Sequence, residues 1–228
     1  MAAILRRGAW IGLVVAALGL TGCNLLALPF FIFGPEPAVP AGMKRVASDD
    51  KRKVVKVLIL THNTGLEMKP EFVRADRELT ERVRAHLKAG FEYNKENVVI
   101  ASPRRVEEFK NENPDWHTMD FEEIGKQFGA DYVFYLEIRS LTLYEPRSAN
   151  TLYRGRAEIT VSLIDVNHPD EGPLRREFVC QFPSETRHAI PVEDISLEKF
   201  RDAFLNYVAK RLSWYLTSHP TREEHDCE

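Results

Sequence analysis

The chain predicts a mixed α/β fold, an α+β arrangement with helices packed on a mixed β-sheet in the order β-α-β-α-α-β-β-β-α. Three features carry that expectation. Val54–Leu60 is β-branched and apolar on both faces, as a strand covered on two sides requires. Thr151–Val166 alternates, with Tyr153, Ala157, Ile159, Val161 and Leu163 on one face and Arg154, Arg156, Glu158, Thr160 and Ser162 on the other. The segments between and after them repeat apolar residues every three to four positions, the mark of helices with one buried stripe.

Taken in order, Thr61-His62-Asn63-Thr64-Gly65 is expected to break the first strand, and a helix follows over Pro70–Ala89. Phe72, Leu79, Val83 and Leu87 form its inward stripe, Glu78 and Arg82 are spaced as an i,i+4 pair on the other side, and Gly90 offers a left-handed cap. Val98–Ile100 reads as a second strand. Ser102-Pro103 supplies an N-cap and first-turn proline for a helix to Lys110. After the polar loop Asn111–His117, Asp120 and Glu123 have capping-box spacing for a helix to Phe128, closed by Gly129. In the long strand Asp131–Tyr144 the apolar face moves from Leu136 and Ile138 to Leu141 and Leu143, which predicts a bulge near Arg139-Ser140, and Gly155 marks another in the next strand. The turn Asn167–Pro173 leads to a strand over Leu174–Phe182. The last helix spans Leu197–Thr217, capped by Ser196. Two crossovers imply parallel neighbours and the closing meander is antiparallel.

What precedes this domain says where it works. Arg6-Arg7 opens a thirteen-residue uncharged segment, Gly8–Leu20, that ends in Leu20-Thr21-Gly22-Cys23. A positive start, an apolar middle and small residues before a cleavage point make a secretory signal. The four residues resemble the lipobox of bacterial lipoproteins, and the resemblance implies diacylglyceryl transfer to Cys23 and cleavage before it. The other reading is an uncleaved transmembrane anchor over residues 8–33, since no charge occurs between Arg7 and Glu36. Thr21, Gly22, Asn24 and Pro29 interrupt that run. Both readings keep the positive N-terminus inside and put the domain outside the cytoplasm. Leu25–Phe33 stays apolar and suits a membrane interface. Gly34–Gly42 holds three prolines, as an extended spacer would. The expected parts are thus a signal peptide 1–22, an anchor and linker 23–53, one globular domain 54–217 and a polar tail 218–228. Asn24, rather than Asp, after the cysteine favours the outer membrane over the inner by analogy with one sorting rule.

The element order and the Gly129-Ala130-Asp131-Tyr132-Val133 strand entry resemble the periplasmic lipoprotein superfamily that includes the curli-secretion lipoprotein and the lipoprotein activator of penicillin-binding proteins. The resemblance covers Val54–Thr217. It implies a non-enzymatic assembly, adaptor or regulatory role in the cell envelope, and it brings no catalytic residues. The short connections Asn111–Met119 and Glu145–Asn150 leave no room for the long membrane hairpins of a curli-type pore.

Composition excludes little else. Without residues 1–22, 29 basic residues face 34 acidic ones, a net of −5, so there is no basic excess for nucleic acid. Cys180 reads as a small buried hydrophobe in a strand; a bond to Cys227 is the less favoured alternative. No Gly-x-Ser-x-Gly, His-Glu-x-x-His or Cys-x-x-Cys occurs. His219, His225 and Cys227 fit no structural zinc spacing, so no metal or other cofactor is expected. Asp131 and Asp165 read as strand-end residues. The ligand-site candidates are His62 and Asn63, at the carboxyl end of the first strand, where open α/β sheets bind ligands. The partner-surface candidates are Tyr144, Arg147 and Tyr153 around the hairpin tip, with Trp116 as a second exposed aromatic. The partners expected are the membrane, through the lipid anchor, an envelope protein, and a second copy of the chain as an open alternative.

Overall fold

The computed structural model describes residues 38–64 and 69–221. In chain order the strands are β1 (Ala38–Val39), β2 (Val55–Asn63), β3 (Val98–Ile100), β4 (Tyr132–Tyr144), β5 (Leu152–Asp165), β6 (Leu174–Phe182), β7 (Ile190–Pro191) and β8 (His219–Pro220). The α-helices are α1 (Ala75–Tyr93), α2 (Pro103–Glu112), α3 (Phe121–Phe128) and α4 (Leu197–Ser213). The main sheet has the order β3-β2-β4-β5-β6, with β7 on the end of β5, and β1 pairs β8 in a separate ribbon. β2 runs parallel to β3 and β4, each reached through a helical crossover, and β4-β5-β6 is an antiparallel meander.

The doubly apolar run in β2 is explained by the layers. Val57 and Ile59 enter a core closed by α1 and α4, while Leu58 and Leu60 enter a second core closed by α2 and α3. In the first, Leu79, Val83 and Leu87 of α1 and Phe200, Phe204 and Leu212 of α4 are fully buried. Each such side chain contributes about 2–3 kcal/mol by leaving water. β4 follows the same alternation until Ile138. There the register slips so that Arg139 is extra, and Leu141 and Leu143 then face the first core. A second slip, between Thr142 and Tyr144, sets Arg154 and Gly155 of β5 against Leu143 of β4. A Cβ on Gly155 would lie 2.4 Å from Phe204 Cδ2, so the close approach of α4 demands glycine there.

Several local expectations are corrected by long-range contacts. β2 does not break at Thr61. It stays paired with β4 through Asn63↔Ile138, so His62 and Asn63 are strand residues. Pro70–Phe72 is a short 3₁₀ turn, and α1 begins at Ala75. Gly90 lies inside α1 rather than capping it. A Cβ there would be 2.8 Å from Thr217 Cγ2, so its job is to let the segment after α4 approach. Glu78 and Arg82 do not pair with each other: Arg201 of α4 grips Glu78 with two bonds of 2.8 Å, and Arg82 reaches Asp202 at 2.5 Å. Ser102 makes no side-chain cap, and Asp120 caps α3 by accepting from Glu122 N at 2.8 Å. Gly129 does close α3, at φ 60°, and Ser196 caps α4.

The packed unit also reaches past both expected boundaries. Val46 is buried in the first core. Gly42 N donates to Trp214 O at 2.9 Å and Met43 N to Tyr215 O at 3.0 Å. Lys44 Nζ is 3.0 Å from Asp165 Oδ2 and Arg45 Nε 2.5 Å from Glu96 Oε1. Residues 38–46 therefore form a strap across the end of α4, and His219, placed in the tail by its polarity, is buried beside them. Among the described residues no helix is long and apolar enough to cross a membrane. Cys23, the anchor at 8–33, His225 and Cys227 lie outside them.

Candidate functional site

His62 shares a face with Leu58 and Leu60 because side chains alternate along β2. That face is the one covered by α2 and α3, and the loop between these helices crosses the end of the strand there. The loop is held by Trp116 N donating to Asn113 O (3.0 Å) and Thr118 N to Asp115 O (2.9 Å). It carries Trp116 into the second core, edge-on to Tyr135 at 6.3 Å between centroids. The ring of His62 stacks on that of His117 at 4.4 Å and 7° and meets the Trp116 ring edge-on at 5.6 Å. Lys110, from α2, donates to Thr61 O at 3.1 Å, lies 3.7 Å from Glu107 Oε1, and sits 4.9 Å from the Trp116 ring centroid.

Burial, then the neighbouring His117 and Lys110, pull the His62 imidazole below its ordinary pKa against the opposing pull of Glu137 and Asp76. Burial likewise lowers Lys110, opposed by Glu107 and Asp76. Burial, with Glu137 adding, pushes the Tyr135 phenol up to about 12. His62 is thus a neutral ring committed to aromatic contacts, and Lys110 is a cation bonded to the backbone and over an indole face. The arrangement fastens a loop to a strand end. Among the described residues no group of three or more metal-ligating side chains forms.

The partner-surface candidates divide. Trp116 is 6% exposed, so it is no surface aromatic; the loop folds inward because the end of β2 needs a cover. Tyr153 is 4% exposed and stacks on Phe200 at 4.7 Å and 13°. Tyr144 is half-buried, 5.4 Å from the Tyr153 ring, and burial raises its phenol pKa. Arg147 is exposed at φ 67°, in a tip where Ala149 and Asn150 also have positive φ. Beneath the tip, Arg154 Nε lies 2.6 Å from Glu145 Oε2.

The remaining candidates are structural. Asp131 accepts from Lys56 N (2.8 Å) and Asn167 Nδ2 (3.1 Å). Burial would raise the Asp165 carboxyl, but bonds from Lys44, His168 and Asn167 outweigh it and hold it below the usual range. His219 stacks on Trp214 at 4.1 Å. Cys180 is a free buried thiol, pushed up to about 12 by burial. Sequence reasoning missed His117 and Lys110, which reach His62 only through the fold. The one signal for His117 was its place beside Trp116 in a loop.

No family model matches the sequence, and no curated protein matches it. Among solved structures it is similar to the PelC dodecamer from Paraburkholderia phytofirmans, at 13% identity and TM-score 0.38, over 80% of this chain and 95% of that one. It is similar to lipoprotein GNA1162 from Neisseria meningitidis, at 14% and 0.41, over 70% and 98%. It is also similar to the hypothetical protein CT253 from Chlamydia trachomatis, at 13% and 0.43, over 72% and 98%. Lipoproteins are thus among the structures this chain resembles. At these identities and TM-scores the likeness carries nothing about activity.

Proposed function

We propose that the chain is an extracytoplasmic envelope lipoprotein, anchored in a membrane through Cys23, whose domain works as a non-catalytic adaptor or assembly factor. The observation that carries the reading is the Arg6–Cys23 signal with its lipobox. The strap supports it, because the chain that leads from Cys23 is built into the fold through β1 on β8, buried Val46 and the Lys44 and Arg45 ion pairs. The state of His62 supports the non-catalytic part, since its ring is spent on His117 and Trp116. Tethering keeps a binding domain at high local concentration, so a small surface around Arg147 and Tyr144 suffices for a partner. That partner is an envelope protein or a second copy of the chain, and the outer membrane is the favoured anchor site.

The test is the mass of the protein purified from membranes, with crosslinking in those membranes. A diacylglyceryl-modified N-terminus at Cys23 and a specific crosslinked protein are expected. A chain retaining Met1 with no acyl mass overturns the lipid anchor at Cys23, and so does normal removal of the signal in Cys23→Ala. One observation favours a second reading, a ligand site at the end of β2: both His62 and Lys110 have depressed pKa values where such sheets bind ligands. Loss of function on His62→Ala, with the hairpin dispensable, would select it.

A further inference from the structure

The main sheet ends differently at its two edges. β3 offers three residues, whereas β6 runs for nine, Leu174–Phe182, in unbroken register with β5. Apart from its ladder to β5, no backbone group of residues 174–182 is hydrogen-bonded among the described residues. A free edge of this kind invites a further strand unless a bulge, a proline or repelling charges turn it away. β6 has no bulge and no proline, Val179 on it is 73% exposed, and its charges are of both signs. Arg175 and Arg176 are exposed and hold no ion pair among the described residues. Phe178 and Cys180 enter the first core, so Arg175, Glu177 and Val179 stand on the opposite face. There Glu177 accepts from Thr160 Oγ1 at 3.2 Å, and a carboxylate has room for further donors.

We infer that β6 pairs with β6 of a second copy of this chain, antiparallel about a two-fold axis at Arg176, a pairing that needs neither the anchor at Cys23 nor the hairpin tip. Residues opposite each other in such a pair share a face, and faces alternate along a strand, so the axis falls between two copies of one residue. Of the axes through β6, the one at Arg176 alone sets strand charges of opposite sign face to face: Arg175 meets the copy's Glu177, and Glu177 the copy's Arg175. An axis at Glu177 would oppose two carboxylates, and axes at Phe178 or Val179 pair no charges. On the other face Leu174, 47% exposed, comes over the copy's Phe178. Arg176 meets its own copy there, a like-charge contact that weakens the pair without forbidding it. The result is one continuous sheet in which each open edge covers the other.

The test uses the full chain with Cys227→Ser, since Cys180 is buried and its thiol is pushed up to about 12. Arg176→Cys puts a thiol on the axis, where the two Cα atoms would lie about 4.5–5.5 Å apart, within disulfide reach. Oxidation of the purified chain is expected to give a linked dimer at 176 and little at Val179→Cys, on the same edge but away from the axis, or at Arg147→Cys. With Arg176 in place, sedimentation across a range of protein concentrations reads the pairing without a crosslink. Arg175→Glu is expected to abolish the dimer, Arg175→Glu with Glu177→Arg to restore it, and Arg176→Gln to strengthen it. Equal linking at 176 and 179 overturns the inference, as does a parent chain that stays monomeric throughout. So does a dimer indifferent to Arg175→Glu, or one that the charge exchange fails to restore while the unfolding midpoint matches the parent's. Should Glu177→Arg unsettle the fold through Thr160, Arg175→Glu and Arg176→Gln still have to move the dimer in opposite directions, and movement in the same direction overturns the pairing. Linking of position 176 to a different protein in native membranes, with the purified chain monomeric, assigns the edge to that protein and also overturns it.

Discussion

The strand end around His62 and the hairpin between β4 and β5 are made of the same materials, aromatic rings beside cations, yet they use them differently. At the strand end the rings close on one another: His62, His117 and Trp116 each contact the other two, and Lys110 is drawn in with them. At the hairpin the rings point down onto α4, through Tyr153 on Phe200, and the cation Arg147 stays out in water. The difference lies in what each must cover. The end of β2 would expose backbone and the edge of the second core unless a loop sealed it. The hairpin tip caps nothing, so only its base is apolar. Exposure of an aromatic in a loop therefore depends on the open core beneath it, which a list of residue types does not reveal.

The contrast is broken or kept most clearly at Tyr153. Its ring is fully packed on Phe200 while Tyr144 is half in water. Tyr153→Ala should cost about 3–5 kcal/mol, by analogy with other buried aromatics, and Tyr144→Ala much less. Urea unfolding measures both. Equal losses would mean that the hairpin base is one layer and not a buried ring beneath a half-exposed one.

A second measurement asks whether α4, on which the hairpin rests, is held by that packing alone. Arg201, next to Phe200, binds Glu78 through two 2.8 Å bonds on partly buried side chains. A double-mutant cycle with Glu78→Gln and Arg201→Met should give a coupling of about 1–2 kcal/mol, more than an exposed pair delivers. A coupling near zero would mean that this pair adds nothing to the apolar packing and the Arg82–Asp202 pair that also join α1 to α4.

Much of this fold was legible because it is written locally. The helix stripes, the alternation of β5, the bulge at Arg139, the Gly155 irregularity and the Gly129 and Ser196 caps are each signalled within a few residues. What was not legible depends on residues far away in the chain. Gly90 looks like a cap until Thr217 arrives against it. Glu78 and Arg82 have the spacing of a helical pair, but α4 offers Arg201 and Asp202 at better geometry. Polar residues 43–53 read as linker because the ion pairs of Lys44 and Arg45 lie 121 and 51 positions on. The candidate site follows the same rule. His62 was visible as a histidine at a strand end, whereas its stacking on His117 joins the end of β2 to the loop between α2 and α3.

The third prediction concerns pH at the strand end. The His62 imidazole titrates below its ordinary value of 6.5 in the folded state. As pH falls through 6.5 the unfolded chain takes up that proton first, so stability declines from about pH 7.5 downward until the lowered folded pKa is passed. His62→Gln should flatten this part of the pH profile of thermal unfolding while leaving the acid limb set by Asp165, whose carboxyl is held low, in place. An unchanged slope in the variant would mean that the stacked pair accommodates a proton without loss, and the strand end would no longer be the region that resists charge.

The smallest effect on stability, and the most direct bearing on function, is expected at the hairpin tip. Arg147 is exposed and Tyr144 is half so, and changing them should leave the unfolding midpoint close to that of the parent. Tyr153 has to stay, because removing it would confuse a lost partner with a lost fold. Tyr144→Ala with Arg147→Glu is therefore the informative variant. If the tip is where an envelope partner docks, this pair abolishes the crosslinked species in native membranes, and His62→Ala, judged near neutral pH, leaves it intact. Should the crosslink survive the hairpin change and vanish with His62→Ala, the enclosed strand end would be the working surface and the exposed tip merely a turn. The two regions answer oppositely because one has surface to give and the other has already spent its rings on the loop that covers it.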